Sequence, residues 1–313
     1  MTNKKEIIVI IGNGFDLEFG LQSRYKDFFE SEFWPFQKSG SGNQRIRKPS
    51  ELDRFLNNKM VENWYNLESL LAQFATKLTD VHDVRAQADH ECFLKLKTGL
   101  RDFIRKAQHV KNPGSSNAAV RFLQAIHKYR TPIIYTFNYT NLVEFGSLVG
   151  IDDLVCTHVH GSIEDNNIVL GIEDNITVPS NYNFLKKDSE PTYKSNNLFY
   201  DLMSANEVAF FGHSLGENDF HFFRQFFRLH SDENNYDIKN KCRITFFTAN
   251  SQSRMDLLSN LRIMNDGRNN QLFAQNDLHF IRTREVDSYS LEEFSNWIKY
   301  LEETRQKVKF SHS

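Results

Sequence analysis

The chain has 313 residues, and its 38 Lys and Arg stand against 40 Asp and Glu, a formal charge of −2. That near-neutral balance speaks against a strongly basic nucleic-acid binder, while 28 Phe, 11 Tyr and 3 Trp are too many large apolar side chains for a disordered chain. The length allows two domains, or one large α/β domain carrying an insertion.

Cys92, Cys156 and Cys242 are odd in number, far apart and without a CxxC pair. Neither a disulfide framework nor a structural zinc site is expected, and a reducing, cytoplasmic compartment follows. The apolar run before Gly12 is too short for a signal-peptide core. No stretch approaches the ~20 apolar residues of a membrane span, so no membrane partner is expected.

Ile7 to Ile11 is a β-branched run, apolar on both faces, which predicts a central strand of a parallel sheet. It stops at Gly12-Asn13-Gly14. A mainly helical pattern follows from Phe15 to Phe33, interrupted at Gly20. Residues 35–50 read as a loop on their Pro, Gly and Ser. Glu51 to Lys111 reads as helices with two apolar stripes, one of Phe55, Trp64, Leu67, Leu70, Leu71, Phe74 and Leu78, the other running from Phe93 and Leu94 to Ile104. One more helix is predicted from Ala118 to Tyr129.

A strand and helix alternation then resumes. Strands are predicted at Ile133 to Thr136, Leu154 to Val159, Ile168 to Leu170, Val208 to Phe211, Arg243 to Thr248 and Leu278 to Ile281. Helices are predicted near Leu142 to Val149, Asn196 to Ser204, Asp219 to Leu229, Arg254 to Met264 and Leu291 to Val308. The alternation implies an α/β fold with a doubly wound, Rossmann-like parallel sheet and an inserted all-helical module. The expected division is residues 1–34 with 116–313 as the nucleotide-binding domain and 35–115 as the insert.

Ligands of such folds bind beyond the carboxyl ends of the strands, and the unusual polar residues follow predicted strands. Gly12-Asn13-Gly14-Phe15-Asp16 opens a helix, where glycines admit a close ligand and free N–H groups suit phosphate. A tight turn without ligand fits the same residues, and Leu17 breaks a full GxGxxG. Asn138, in Thr136-Phe137-Asn138-Tyr139-Thr140, can cap a helix, bind a ribose hydroxyl or position a water. His158 and His160 share a strand face, but no further ligand stands at metal spacing, so no metal is expected. A buried or turn-capping histidine is the plainer reading of His160, although Gly161 beside it suggests a close approach to the backbone. Gly212-His213-Ser214-Leu215-Gly216 satisfies Gly-x-Ser-x-Gly, which offers Ser214 as a hydrolase nucleophile. Against that, Gly216, Asn218 and Asp219 start the helix too late.

The order of these motifs resembles the AbiH-like abortive-infection proteins of bacteria and, more distantly, the sirtuin-like superfamily. Ile11 to Leu17, with Gly20 to Phe28, looks like the AbiH opening and is similar to the sirtuin Gly-Ala-Gly loop. Thr136 to Thr140 resembles a Thr-x-Asn-Tyr-Asp segment, with Thr140 where many relatives carry Asp. His160-Gly161-Ser162 matches its His-Gly-Ser, and Gly212-His213-Ser214-Leu215 its Gly-x-Ser-Leu turn. Trp64, Asn66 and Glu68 resemble a Trp-x-x-x-Glu element of the AbiH helical region. The zinc-binding cysteines of true sirtuins are absent, which argues against protein deacylation.

The resemblance implies NAD as substrate or ligand and an antiphage effector that hydrolyses it to ADP-ribose and nicotinamide. On that reading Asn138 orients a water or the ribose hydroxyls, and His160 acts as general base. Gly12, Asn13 and Gly14 face the pyrophosphate, with Asp16 and Ser214 as secondary contacts. Phe15, Tyr139, Gly161, Ser162, Gly212 and His213 complete the expected binding set. The alternatives are a sensor that binds NAD or ADP-ribose without turnover, and a serine hydrolase. Expected partners are the nucleotide, a second copy of the chain and a phage-derived or defence-system protein as trigger. The insert is read either as a packing module or as a gate over the ligand crevice, with Trp64 and Glu68 facing that crevice.

Overall fold

The computed structural model describes residues 6–36, 49–61, 66–79, 83–193, 196–232, 241–285 and 288–310. The chain divides into two compact units. The first comprises Met1–Leu21, Val110–Val159 and Ser195–Ser313; the second comprises Gln22–His109 and His160–Lys194.

The first unit holds an all-parallel six-stranded sheet. Its strands are β1 (Glu6–Ile11), β2 (Thr131–Thr136), β3 (Cys156–His158), β4 (Glu207–Phe211), β5 (Arg243–Thr248) and β6 (Asp277–Arg282), in the order β3-β2-β1-β4-β5-β6. This is the Rossmann order, and its direction reverses between β1 and β4, where open α/β sheets place their ligands. Helices α1 (Asn13–Phe19), α6 (Ala118–Tyr129), α7 (Leu142–Leu148), α8 (Leu198–Ser204), α9 (Phe220–Leu229), α10 (Ser251–Met264), α11 (Asn269–Gln275) and α12 (Ser288–Phe310) connect and flank the strands.

Strand alternation builds two cores from one sheet. Ile7, Val9 and Ile11 of β1 join a cluster with Phe15, Phe122 of α6 and Trp297 of α12. Ile8 and Ile10 join the opposite cluster with Phe210, Phe223 and Phe227 of β4 and α9. A strand covered on both faces has no polar side to show, which is why β1 reads as a continuous apolar run. Each fully buried Ile or Val stabilises the fold by about 1.5–3 kcal/mol.

The second unit contains α2 (Tyr25–Glu30), α3 (Glu51–Val61), α4 (Leu67–Ala75) and α5 (Asp83–Ala107), together with 3-10 turns at Ser180–Leu185 and Lys187–Ser189. Leu67, Leu70, Leu71 and Phe74 are buried as their stripe predicts, but Leu94 is half exposed. The carboxylate of Asp89, fully buried, ties three segments together. Its Oδ1 accepts from the Leu52 N–H at 2.8 Å, where α3 begins, and its Oδ2 accepts from the Tyr182 hydroxyl at 2.7 Å.

Two segments depart from the sequence reading, Ile168 to Leu170 and the helix α11. Ile168, Val169 and Leu170 form no strand; they are buried in irregular backbone, and Ile172 makes only an isolated bridge to Lys186. A short apolar run reports burial, not strand geometry. The interruption expected at Gly20 is present: α1 ends at Phe19 with Gly20 as its cap, and α2 starts at Tyr25. Helix α11 was hidden by an Asn-rich stretch; two of its residues, Asn269 and Leu272, are buried all the same. Trp64 and the Gly40 to Gly42 loop lie outside the described residues. Among the described residues no helix is long and apolar enough to cross a membrane.

Candidate functional site

The loops after β1, β2 and β4 meet at the carboxyl end of the sheet in the first unit. Gly12 follows β1 directly, and its N–H donates to the Phe211 carbonyl of β4 at 3.0 Å. The Gly14 N–H donates to the Gly212 carbonyl at 2.9 Å. A Cβ on Gly14 would stand 2.6 Å from the Gly212 Cα, and one on Gly212 would stand 2.4 Å from the Gly14 carbonyl carbon. What approaches these glycines is therefore the other loop's backbone. Phe15 is fully buried in the core below.

Asp16 sits one turn into α1 with its side chain sealed from solvent. Its Oδ1 accepts from Asn138 Nδ2 at 2.7 Å, and its Oδ2 accepts from the Thr140 hydroxyl at 2.9 Å. Burial pushes its carboxyl from 3.8 up to about 7, against the lowering effect of the Thr140 and Asn138 hydrogen bonds. A buried carboxyl moved to near neutrality marks a candidate functional site.

Asn138 is held from three sides. Its N–H donates to Thr136 Oγ1 at 3.1 Å, and its Nδ2 donates to the Gly12 carbonyl at 3.1 Å as well as to Asp16. The His158 Nδ1–H donates to the Asn138 carbonyl at 3.0 Å, which fixes the tautomer. The His158 Nε2 is left as the partner of the Cys156 thiol at 3.7 Å, and burial holds that thiol protonated by raising it to about 11. Both amide hydrogens of Asn138 face acceptors, so the amide orientation is fixed. Only Oδ1 remains for an outside group, and it can only accept. Tyr139 is buried beside it in the chain.

His213 packs edge-on against Phe137, with centroids 4.5 Å apart. Its Nδ1 accepts from the Leu215 N–H at 3.0 Å, which puts the proton on Nε2, 3.4 Å from Asp219 Oδ2. Ser214 is exposed, the residues with positive φ in this loop are Gly212 and Leu215, and the helix begins only at Glu217–Asp219 as a 3-10 turn. A nucleophile elbow strains the serine itself and starts the helix there; this loop does neither.

His160, Gly161 and Ser162 lie in the second unit. His160 is buried, and its carbonyl accepts from the Val169 N–H at 2.8 Å. Gly161 has φ +76, and a Cβ there would stand 2.0 Å from the Asn167 carbonyl oxygen. The close approach signalled by this glycine is thus made by Asn167. The Ser162 N–H donates to Asn167 Oδ1 at 2.7 Å, and its hydroxyl donates to Asp165 Oδ2 at 3.0 Å.

In the same unit Glu68 does not stand alone on its helix: its Oε1 lies 3.5 Å from Lys187 Nζ, which is 2.9 Å from Glu173 Oε1. Among the described residues no group of three or more His, Cys, Asp or Glu is arranged to hold a metal ion.

By the resemblance Asp16 is only a secondary contact, and Thr140 stands where many relatives carry Asp. In the fold, Thr140 is a donor to Asp16. The signal available was the pairing of an acidic residue just after the Gly-x-Gly turn with two short polar residues just after the next strand. A family model described as "Bacteriophage abortive infection AbiH" matches residues 8–240. No curated protein matches the chain.

Proposed function

Because the chain belongs to the AbiH family of bacteriophage abortive infection proteins, we propose that it is a cytoplasmic antiphage effector whose chemistry is the hydrolysis of NAD to ADP-ribose and nicotinamide. The observation that carries this reading is the buried Asp16–Asn138–Thr140 cluster beyond β1 and β2, with Asp16 raised to about 7. It lies next to the β1/β4 reversal, where a Rossmann-type sheet binds nucleotides. The distant likeness to sirtuins points to the same ligand.

In the proposed reaction a water oxygen bonds to the anomeric carbon of the nicotinamide ribose. The glycosidic C–N bond breaks, its electron pair neutralises the pyridinium nitrogen, and the water gives up a proton. Asn138 suits the water-positioning role because its Oδ1 accepts only. A water held there keeps a lone pair for the sugar. An ionised Asp16 pulls on the amide hydrogen of Asn138 and makes that oxygen a better acceptor. The resemblance offers His160, two residues beyond β3 in the chain, as the base.

The test is release of nicotinamide from NAD by the purified protein and by phage-infected cells that express it. Wild type is expected to release it, and Asn138→Ala and His160→Ala to lose most of that activity while staying folded. No nicotinamide release in either setting overturns the reading.

A second reading has its own support. The Gly14 N–H is committed to Gly212, and Asp16 has internal partners for both oxygens. Such a satisfied site suits a sensor that binds NAD or ADP-ribose without turnover. It predicts thermal stabilisation by the nucleotide, which is recovered intact.

A further inference from the structure

The turn between β4 and α9 in the first unit carries a backbone outlier. Leu215 has φ +52, in the left-handed region that a bulky aliphatic side chain rarely adopts. Among the described residues, the other non-glycines in that region are Asn166 and Asp266, whose short polar side chains suit it. The Leu215 side chain is fully buried in the cluster of Phe210, Phe223 and Phe227, and this packing offsets the strain. A strained residue kept just beyond the carboxyl end of a Rossmann strand points to a task for the turn itself.

Two side chains pin this turn on either side of the strained residue. The Leu215 N–H donates to His213 Nδ1 at 3.0 Å, and the Ser214 carbonyl accepts from Asn260 Nδ2 at 3.0 Å. His213 thus makes the bond to the second residue onward that an asparagine makes in an Asx turn. Its ring is held in place. It is 5% exposed, with centroids 4.5 Å from Phe137 and 5.1 Å from Phe223, and its Nε2 lies 3.4 Å from Asp219 Oδ2. Both ring nitrogens are engaged within the protein. Ser214, between two buried residues, is exposed.

We propose that His213 is a positioning residue and not a ligand contact. Its Nδ1 holds the Leu215 turn in the left-handed form, and that turn presents Ser214 to the pyrophosphate of NAD or ADP-ribose. A serine hydroxyl donates well to a phosphate oxygen. Asn260 supports the same turn from α10. The inference rests on the nucleotide reading above and holds with or without turnover.

Calorimetric titration with ADP-ribose compares the full-length wild type with His213→Phe and His213→Asn. Phenylalanine keeps a ring against Phe137 and Phe223 but offers no acceptor, whereas asparagine keeps an acceptor for the N–H two residues on. His213→Phe is expected to weaken binding by about tenfold or more, and His213→Asn to stay within about threefold of wild type. Amide hydrogen exchange reads the hold without ligand. The Leu215 amide is expected to be protected in wild type and in His213→Asn, and to exchange about tenfold faster in His213→Phe. Should His213→Phe fail to fold, Asn260→Ala removes the other pin and is expected to weaken ADP-ribose by about threefold or more. The positioning role is overturned if a folded His213→Phe binds like wild type or leaves Leu215 exchange unchanged. It is equally overturned if His213→Asn binds as weakly as His213→Phe, or if Asn260→Ala stands in for a misfolded variant and binds like wild type. Wild type that protects Leu215 but binds neither NAD nor ADP-ribose overturns the nucleotide reading instead, and the ligand named here with it.

Discussion

The Thr140 hydroxyl donates to Asp16 Oδ2 at 2.9 Å across 124 residues of chain. This single bond joins the loop after β2 to the first turns of α1 and closes the second oxygen of a carboxylate that has no access to water. Thr140→Val removes the donor and keeps the shape. It is expected to lower stability by about 1–3 kcal/mol and to raise the Asp16 carboxyl further. Thr140→Ser is expected to restore most of both. Denaturant midpoints and a carboxyl titration followed by NMR measure the two effects.

The same carboxyl makes stability depend on pH. Asp16 titrates at 3.8 in the open chain and at about 7 in the fold. Between these values the folded state holds the proton more tightly than the unfolded one, so stability falls as pH rises from about 4 to about 7 and levels off above that. Each pKa unit is worth about 1.4 kcal/mol, so the fall is of the order of a few kcal/mol. Asp16→Asn is expected to flatten this window. Unfolding free energies at steps between pH 4 and pH 8 check it; an unchanged slope in the variant would assign the effect to other groups.

The loop glycines separate packing from ligand binding. Gly14→Ala places a Cβ 2.6 Å from the Gly212 Cα, a backbone atom that cannot swing away. A loss of about 3 kcal/mol or more is expected, seen as a lower thermal midpoint or as misfolded protein. Gly216→Ala meets only Ser214 Oγ at 3.5 Å and is expected to change stability by about 0.5 kcal/mol or less. A Gly14→Ala protein with a wild-type midpoint would contradict the observed backbone contact.

In the second unit, Glu68→Ala removes one of two carboxylates beside the buried Lys187. The expected result is a loss of about 1–2 kcal/mol, because a buried ammonium group loses part of its compensation. Thermal unfolding is the readout, and an unchanged midpoint would mean that this ion pair contributes nothing to the unit.

The sequence by itself determined the six strands and most of the helices. Ile7 to Ile11 reads as a central strand because both faces are covered, and each of the six strands observed overlaps a strand predicted from the sequence. The polar motifs at Gly12, Asn138 and Gly212 follow directly after strands, so their gathering at one end of a parallel sheet was legible from chain order alone. What only the tertiary structure decided is who meets whom. A glycine announces a close approach but not its partner, and the partner proved to be Gly212 for Gly14 and Asn167 for Gly161. Ile168 to Leu170 carries the burial of a strand without a neighbour to pair with, since hydrogen-bond pairing is not encoded in hydrophobicity. Asp16 becomes a near-neutral acid because the fold shuts water out, and it does so against the lowering effect of the hydrogen bonds from Asn138, 122 residues away, and from Thr140. Desolvation is a property of the assembled surroundings, and no local pattern of residues contains it.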